Sequence, residues 1–367
     1  MSDKKLPYYT TSRIDATKAI YRMILGERSN GKTTAVLFSA VKYCWENNCE
    51  MAYIRRWQDE IRGQRGDRVF SGLVALDFIS LATNGVWSHV VRDGTSWYFA
   101  RYDEGECIKA DSPFCCGFNL SADEHEKGIS YPNIKIVVFD EFVARRAYIV
   151  DEFVAFMNLL STIIRTRDDV IIYMIGNSIS KYCPYFEEMG LKHIKEMKPG
   201  DIEIYTYNER ELSVAVEFSD FKGKKKPSNK YFAFDNPKLN MITGTGSVWE
   251  IGSYPHLPEK YTPKNILYKY FIEFDRELFE CHIVHVSRKY FTFIFPKTTP
   301  LKPDTKNIIF TDRIDGSLYR RARIDAPVDE IGRIIWQFFR DKQVYYATNA
   351  VGDMIDNFLD YTKKAGR

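Results

Sequence analysis

Eight residues near the N-terminus constrain this chain more than any other segment. Gly26, Glu27, Arg28, Ser29, Asn30, Gly31, Lys32 and Thr33 follow a short apolar run over residues 19–25 and precede apolar positions at helical spacing, Val36, Leu37, Ala40 and Val41. At ordinary residue frequencies a chain of this length would show the pattern G-x-x-x-x-G-K-[ST] by chance only about one time in a hundred. A strand, a glycine-bounded loop and a helix N-terminus in that order form a cradle for phosphate. Loop amides and the helix dipole face the anion, Lys32 reaches the outer phosphates, and the Thr33 hydroxyl joins a Mg²⁺ shell, with Thr34 next to it on the same turn. A loop that merely reversed the chain would need neither Lys nor Thr after its second glycine.

The phosphate loop makes a second segment legible. Residues 134–139 are almost continuously apolar, as in a strand buried on both faces of a parallel sheet, and Asp140 and Glu141 follow directly. On its own, Asp-Glu after such a run reads as a solvated turn. Paired with the loop, Asp140 is expected to hold Mg²⁺ through water and Glu141 to polarise an attacking water, so the second acid argues for ATP hydrolysis and not for binding alone. Asn177, just past a strand at residues 170–175, stands where a polar group could sense the terminal phosphate, although Gly-Asn-Ser is equally a turn former. Arg165 and Arg167 end a helix over residues 153–164, where the helix dipole alone would explain cations. They are candidates for transition-state charge, with Arg28, Arg55 and Arg56 as alternatives.

A chain of 367 residues exceeds what one core usually organises. Residues 1–199 alternate strands and helices and predict an α/β fold, a P-loop NTPase domain with a mainly parallel sheet, with a hairpin inserted within residues 69–100. Residues 200–263 read as a small linker module containing strands at 202–207 and 212–218. Residues 264–367 read as a second α/β domain, with strands at 268–274, 281–286 and 290–295 followed by helices at 328–339 and 354–361. The net charge of +3 excludes a uniformly basic surface, so any contact with nucleic acid must come from a local cluster. Lys222, Lys224, Lys225, Lys226 and Lys230 form one, which reads as a solvated loop or as mobile charge for a phosphate backbone. The seven cysteines form no CxxC pair, which points to free thiols in a reducing cytosol and not to zinc. No stretch approaches the roughly 20 apolar residues that span a bilayer, so no membrane partner is expected.

These motifs, with their surroundings, resemble the DNA-packaging ATPases of small tailed podovirus-type phages, terminase-like P-loop ring motors of the additional-strand class. The resemblance covers about half the chain. It rests on residues 26–33, on Tyr53-Ile54-Arg55-Arg56, on Tyr131-Pro132-Asn133 leading into Val137-Val138-Phe139-Asp140-Glu141-Phe142, on Asn158-Leu159-Leu160 running to Arg165-Thr166-Arg167, and on Gly176-Asn177-Ser178 with Pro184-Tyr185-Phe186. It implies ATP and Mg²⁺ as cofactors, and a homo-oligomeric ring, a pentamer, at the viral portal. That ring would drive double-stranded DNA into the procapsid within the host cytoplasm, with the need for a structural RNA as a further partner left open. It also implies Arg165 as the finger acting on a neighbour's nucleotide. The family pattern can carry a Lys shortly after the arginine pair, where Gln58 stands here. For residues 264–367 the resemblance implies a ribonuclease-H-like domain whose acids, Asp275, Asp304, Asp312, Asp315, Asp329 and Glu330, form no clear metal set. A vestigial domain is therefore expected. The competing readings are a nucleotide-gated metal-dependent nuclease and a helicase-like ring ATPase.

Overall fold

Tyr21–Leu25 (β1) is buried at all of its positions, which an interior strand with neighbours on both edges and layers on both faces requires. A computed structural model supplies those neighbours. It describes residues 9–26, 30–121, 130–144, 148–149, 151–177, 183–207, 212–220, 253–302, 305–313, 316–317 and 319–365. The described chain forms two units, the first from residues 1–144 and 151–250, the second from residues 145–150 and 251–367.

In the first unit the other strands are Glu50–Arg55 (β2), His89–Asp93 (β3), Ser96–Asp103 (β4), Glu106–Lys109 (β5), Cys115–Asn119 (β6), Ile134–Asp140 (β7), Ile171–Ile175 (β8), Ile202–Tyr207 (β9) and Leu212–Phe218 (β10). They lie in the order β3-β4-β6-β2-β7-β8-β1-β10-β9, with β5 on β4. The run from β6 to β10 is parallel throughout. The expected hairpin is β3 with β4, turning through Gly94 and Thr95 between the paired Asp93 and Ser96. Gly94 has φ +60, as such a two-residue turn demands. Of all the pairings, the placement of β8 matters most for the site, because it lies between β1 and β7 and sets the phosphate loop and the acid strand one strand apart.

The helix Lys32–Asn47 buries Val36, Leu37, Ala40, Val41 and Cys44, an i, i+1, i+4, i+5, i+8 stripe that lies on the sheet. Beneath the hairpin sits an aromatic core in which Phe70 and Trp97 meet at 5.7 Å and Phe99 and Phe114 stack at 4.2 Å. Trp97 donates its indole N–H to Gly66 O at 3.0 Å, which satisfies its one polar atom inside that core.

Of the expected linker module at residues 200–263, the two described strands lie in the sheet of the first unit. β10 pairs in parallel with β1, from Tyr21↔Val214 to Leu25↔Phe218, and β9 pairs antiparallel with β10. Val214, Ala215, Val216 and Phe218 are buried there, because the edge of β1 not taken by β8 would otherwise leave apolar surface and backbone groups open. At the other end of the expected module, Tyr254 and His256 belong to the second unit, where Tyr254 N–H donates to Asn349 Oδ1 at 3.0 Å and His256 bridges to Tyr346. The lysine cluster at residues 222–230 lies outside the described residues.

The second unit has the mixed α/β character expected of it. Ile266–Phe274 (β11), Glu277–Val286 (β12) and Lys289–Pro296 (β13) form an antiparallel meander, extended by Ile309–Thr311 (β14), Arg320–Arg321 (β15) and Val344–Tyr346 (β16) in the order β15-β14-β11-β12-β13-β16. The helices Glu330–Arg340 and Asn349–Ala365 follow, and Phe274 meets Phe358 at 5.5 Å in the core. Asp329 caps the first of these helices, accepting from Gly332 N–H at 2.8 Å, and is gripped by both Nη atoms of Arg321. Asp275 sits in the turn between β11 and β12, and Asp304 and Asp315 lie outside the described residues.

Replacing Asp329 with Ala should cost this unit about 1 kcal/mol, the usual worth of a helix N-cap. A lower urea midpoint with an unchanged slope would show it. The hydrogen bonds from Arg321 and Gly332 hold the Asp329 carboxyl down to about 2. Its contribution is therefore complete above the ordinary Asp value near 4 and fades as pH falls through about 2. A midpoint unmoved by the substitution at neutral pH would contradict the capping assignment.

Candidate functional site

The phosphate loop begins where β1 runs out. Gly26 has φ +151, and a Cβ there would stand 3.2 Å from Asn30 Nδ2 and from Ser219, so the backbone passes too close for a side chain. Gly31 has φ +88, a left-handed turn that aims the first helical amides back toward the loop. Glu27, Arg28 and Ser29 lie outside the described residues. Asn30 spans the loop: Nδ2 donates to Ser219 Oγ at 3.1 Å, and Oδ1 accepts from Lys32 N–H at 3.3 Å and from Lys32 Nζ at 3.1 Å. Lys32 is 4% exposed, and its ammonium also donates to Gly26 O at 3.1 Å and to Asn177 Oδ1 at 3.3 Å. A buried ammonium at a helix N-terminus, beside the first helical amides, is a setting that suits a phosphate. Thr34 is half-buried on the same turn.

The acid strand meets this loop through one carboxylate. Thr33 Oγ1 donates to Asp140 Oδ1 at 3.2 Å, while Tyr53 OH at 3.0 Å and Arg55 Nη1 at 3.1 Å both donate to Asp140 Oδ2. Burial raises the Asp140 pKa, with Arg55 pulling the other way and Glu141 adding to the rise. Neighbouring oxygens in an octahedral Mg²⁺ shell lie about 3 Å apart, given metal–oxygen distances near 2.1 Å. The Thr33 and Asp140 oxygens already stand at that spacing, so these two residues fit the cation they are expected to hold. Glu141 follows at φ +60 with its side chain 56% exposed, and its carboxylate accepts from Arg55 Nη2 at 2.8 Å.

Of the three arginines offered as alternatives, Arg28 lies outside the described residues, and Arg55 and Arg56 are committed within this chain. Arg55 spans Asp140, Glu141 and Glu60, the last at 2.9 Å. Arg56 lies against Glu152, with Nε to Oε2 at 2.7 Å and Nη2 to Oε1 at 2.8 Å. Arg167 turns back over the start of β7, donating to the carbonyls of Tyr131, Pro132, Ile134, Ile163 and Ile164 at 2.6–3.2 Å. Arg165, at the C-cap of the helix Glu152–Ile164, is exposed. Asn177 reaches Lys32 because β8, which carries it, is the strand beside β1. Sequence reasoning missed Tyr53 and Ser219 as partners of the site, and it missed Arg55 as a partner of the acids. The signal for Tyr53 and Arg55 lies in pairing: Ile54 stands opposite Phe139, which puts Tyr53 and Arg55 on the same face of the sheet as Asp140.

Fold and site together define a P-loop α/β domain of the additional-strand class. Residues 110–230 match the model of the podovirus DNA encapsidation protein (Gp16) family. The DNA packaging proteins of Bacillus phages PZA and phi29 are each 26% identical to this chain over 187 residues, 50% of this chain and 50% of theirs. The chain thus spans about half the length of the curated relatives it matches. Among solved structures, the Phi-28 gp11 DNA packaging motor aligns with a TM-score of 0.54 at 18% identity, covering 97% of this chain and 98% of that one. The bacteriophage phi-29 genome packaging motor assembly aligns at 0.53 and 15%, covering 97% and 100%. At these identities the likeness is one of fold, and it runs nearly end to end. The resemblance read from the motifs is met in sequence over residues 110–230 and in fold over both units.

Arg167→Ala should lower the stability of the first unit by about 2 kcal/mol or more, since partly buried carbonyls lose a charged donor, and should leave nucleotide affinity unchanged. Denaturant unfolding with and without nucleotide would measure both. A parent-like midpoint would show that the clamp on residues 131–134 is dispensable.

Proposed function

We propose that this chain is the ATP-hydrolysing subunit of a ring motor that drives double-stranded viral DNA through a portal into a procapsid. The observation that carries the reading is the 3.2 Å contact between Thr33 Oγ1 and Asp140 Oδ1, which joins the phosphate loop to the acid strand. Lys32 would neutralise the outer phosphates, and Asn177, on its flank, would report on the terminal one. Thr33 and Asp140 would hold Mg²⁺, which when bound supplies charge neutralisation for phosphoryl transfer. Glu141 would take the proton of the attacking water, for which its exposed carboxylate must leave Arg55. Arg165 would complete the neighbouring subunit's site. The resemblance supports a pentameric ring, a portal and procapsid as partners with a structural RNA as a further one, action in the host cytoplasm, and a C-terminal domain that serves docking or grip without cutting DNA.

Mg²⁺-dependent ATP turnover by the purified chain, stimulated by duplex DNA, tests the reading. Lys32→Ala should abolish nucleotide binding and turnover together. Glu141→Gln should keep the nucleotide while turnover falls by about a hundredfold or more, the usual worth of a general base. Turnover at the parent rate in Glu141→Gln would remove that residue from the chemistry.

Arg165→Ala should bind nucleotide as the parent does yet turn over slowly in the assembled ring. Adding Glu141→Gln subunits to Arg165→Ala subunits should restore part of the activity, because the intact acid in one subunit then receives Arg165 from the other. No recovery at any ratio would place the action of Arg165 within its own subunit.

A further inference from the structure

Glu141 stands at φ +60, a left-handed conformation that a residue with a side chain keeps only where its surroundings impose it. Here the constraint comes from Arg56. Its guanidinium donates from Nη1 to Glu141 O at 3.0 Å and from Nη2 to Phe142 O at 2.7 Å, so the two carbonyls that follow β7 are fixed by one planar group. Phe142 N–H donates to Ile175 O at 3.1 Å, which ties the same turn to β8. Arg56 is oriented in turn by Glu152 through Nε and Nη2, and Tyr185 OH donates to Glu152 Oε1 at 3.0 Å. The Arg56 and Glu152 side chains are 8% and 0% exposed, so this pair is a desolvated fork and not a surface bridge. Glu152 is also the first residue of the helix Glu152–Ile164, whose C-cap is Arg165, about 20 Å away along the helix axis at 1.5 Å per residue.

We infer that Arg56 is a positioning residue for Glu141: it sets the backbone from which the acid leaves the strand and, through Glu152, ties that backbone to the helix that carries Arg165. This rests on the reading of Glu141 as the acid that activates water. A buried ion pair kept only for packing would be satisfied by its partner, and replacing it with apolar residues of similar size is often neutral for stability. Arg56 instead spends two of its donated hydrogen bonds on the carbonyls of the acid and its neighbour. Lysine keeps the charge but not the planar fork, so it cannot serve two carbonyls and two carboxylate oxygens together.

Three variants of the full chain test this: Arg56→Lys, Glu152→Gln, and the pair Arg56→Met with Glu152→Leu, which retains packing. In each, nucleotide affinity should stay within about twofold, kcat should fall by about tenfold or more, and amide exchange at Phe142 should quicken by about tenfold while exchange in β7 is unchanged. A folded Met–Leu pair with parent kcat would make the contact purely structural and overturn the inference. Parent-like exchange at Phe142 in Arg56→Lys would do the same. If the parent chain itself fails to hydrolyse ATP, the proposed function falls, while the exchange measurement still decides whether Arg56 holds the turn.

Discussion

Asp140 is where the phosphate loop and the sheet become one site. One of its oxygens accepts from Thr33, at the start of the loop helix, and the other accepts from Tyr53 and Arg55 on the adjacent strand. With the carboxylate only 6% exposed, those hydrogen bonds offset the cost of burying its charge. The position of the loop helix, the direction of β2 and the exit of β7 are set together by this group. A shift in any of them would leave a buried acid short of a partner, which is far more costly than the loss of one surface contact.

The arginines around this carboxylate divide labour by what they touch. Arg55 has a foot on each acid, so the same guanidinium that opposes the effect of burial on Asp140 also holds Glu141. Arg56 touches no acid of the site and acts on the peptide groups after it. Arg167 satisfies carbonyls at the beginning of β7, and Arg165 is exposed at the end of the same helix. Arg55, Arg56 and Arg167 thus serve a carboxylate, a backbone turn and a strand start. The guanidinium suits all three because its five donors lie in one plane and match paired oxygens.

Much of the site was legible because the phosphate loop is local. Residues 26–33 need only their own order, glycine at two positions, and a helix to follow, and the apolar run before Asp140 announces a buried strand with acids at its end. The helix Glu152–Ile164 and the strands at 171–175, 202–207 and 212–218 were equally readable from periodicity. The sheet that the strands at 202–207 and 212–218 join was not legible in the same way. An apolar strand reads the same whether it starts a new domain or joins an old sheet, and Leu212–Phe218 joined β1, nearly two hundred residues earlier in the chain.

The sequence alone pointed to the kind of chemistry proposed, since the types and local spacing of Lys32, Thr33, Asp140 and Glu141 are those of a phosphate loop followed by an acid strand. Tertiary structure decided which charges take part. Tyr53 and Arg55 join the acids because β2 lies beside β7 in a register that puts Ile54 opposite Phe139, and Asn177 reaches Lys32 because β8 slots in next to β1. Pairing across a sheet is fixed by the burial of whole strands against one another, and a hydrophobic pattern specifies that a strand is buried without naming its neighbour. Ser219 makes the point at its smallest: nothing near it in the chain marks it as part of a phosphate loop, and it supports Asn30 because β10 ends where β1 ends.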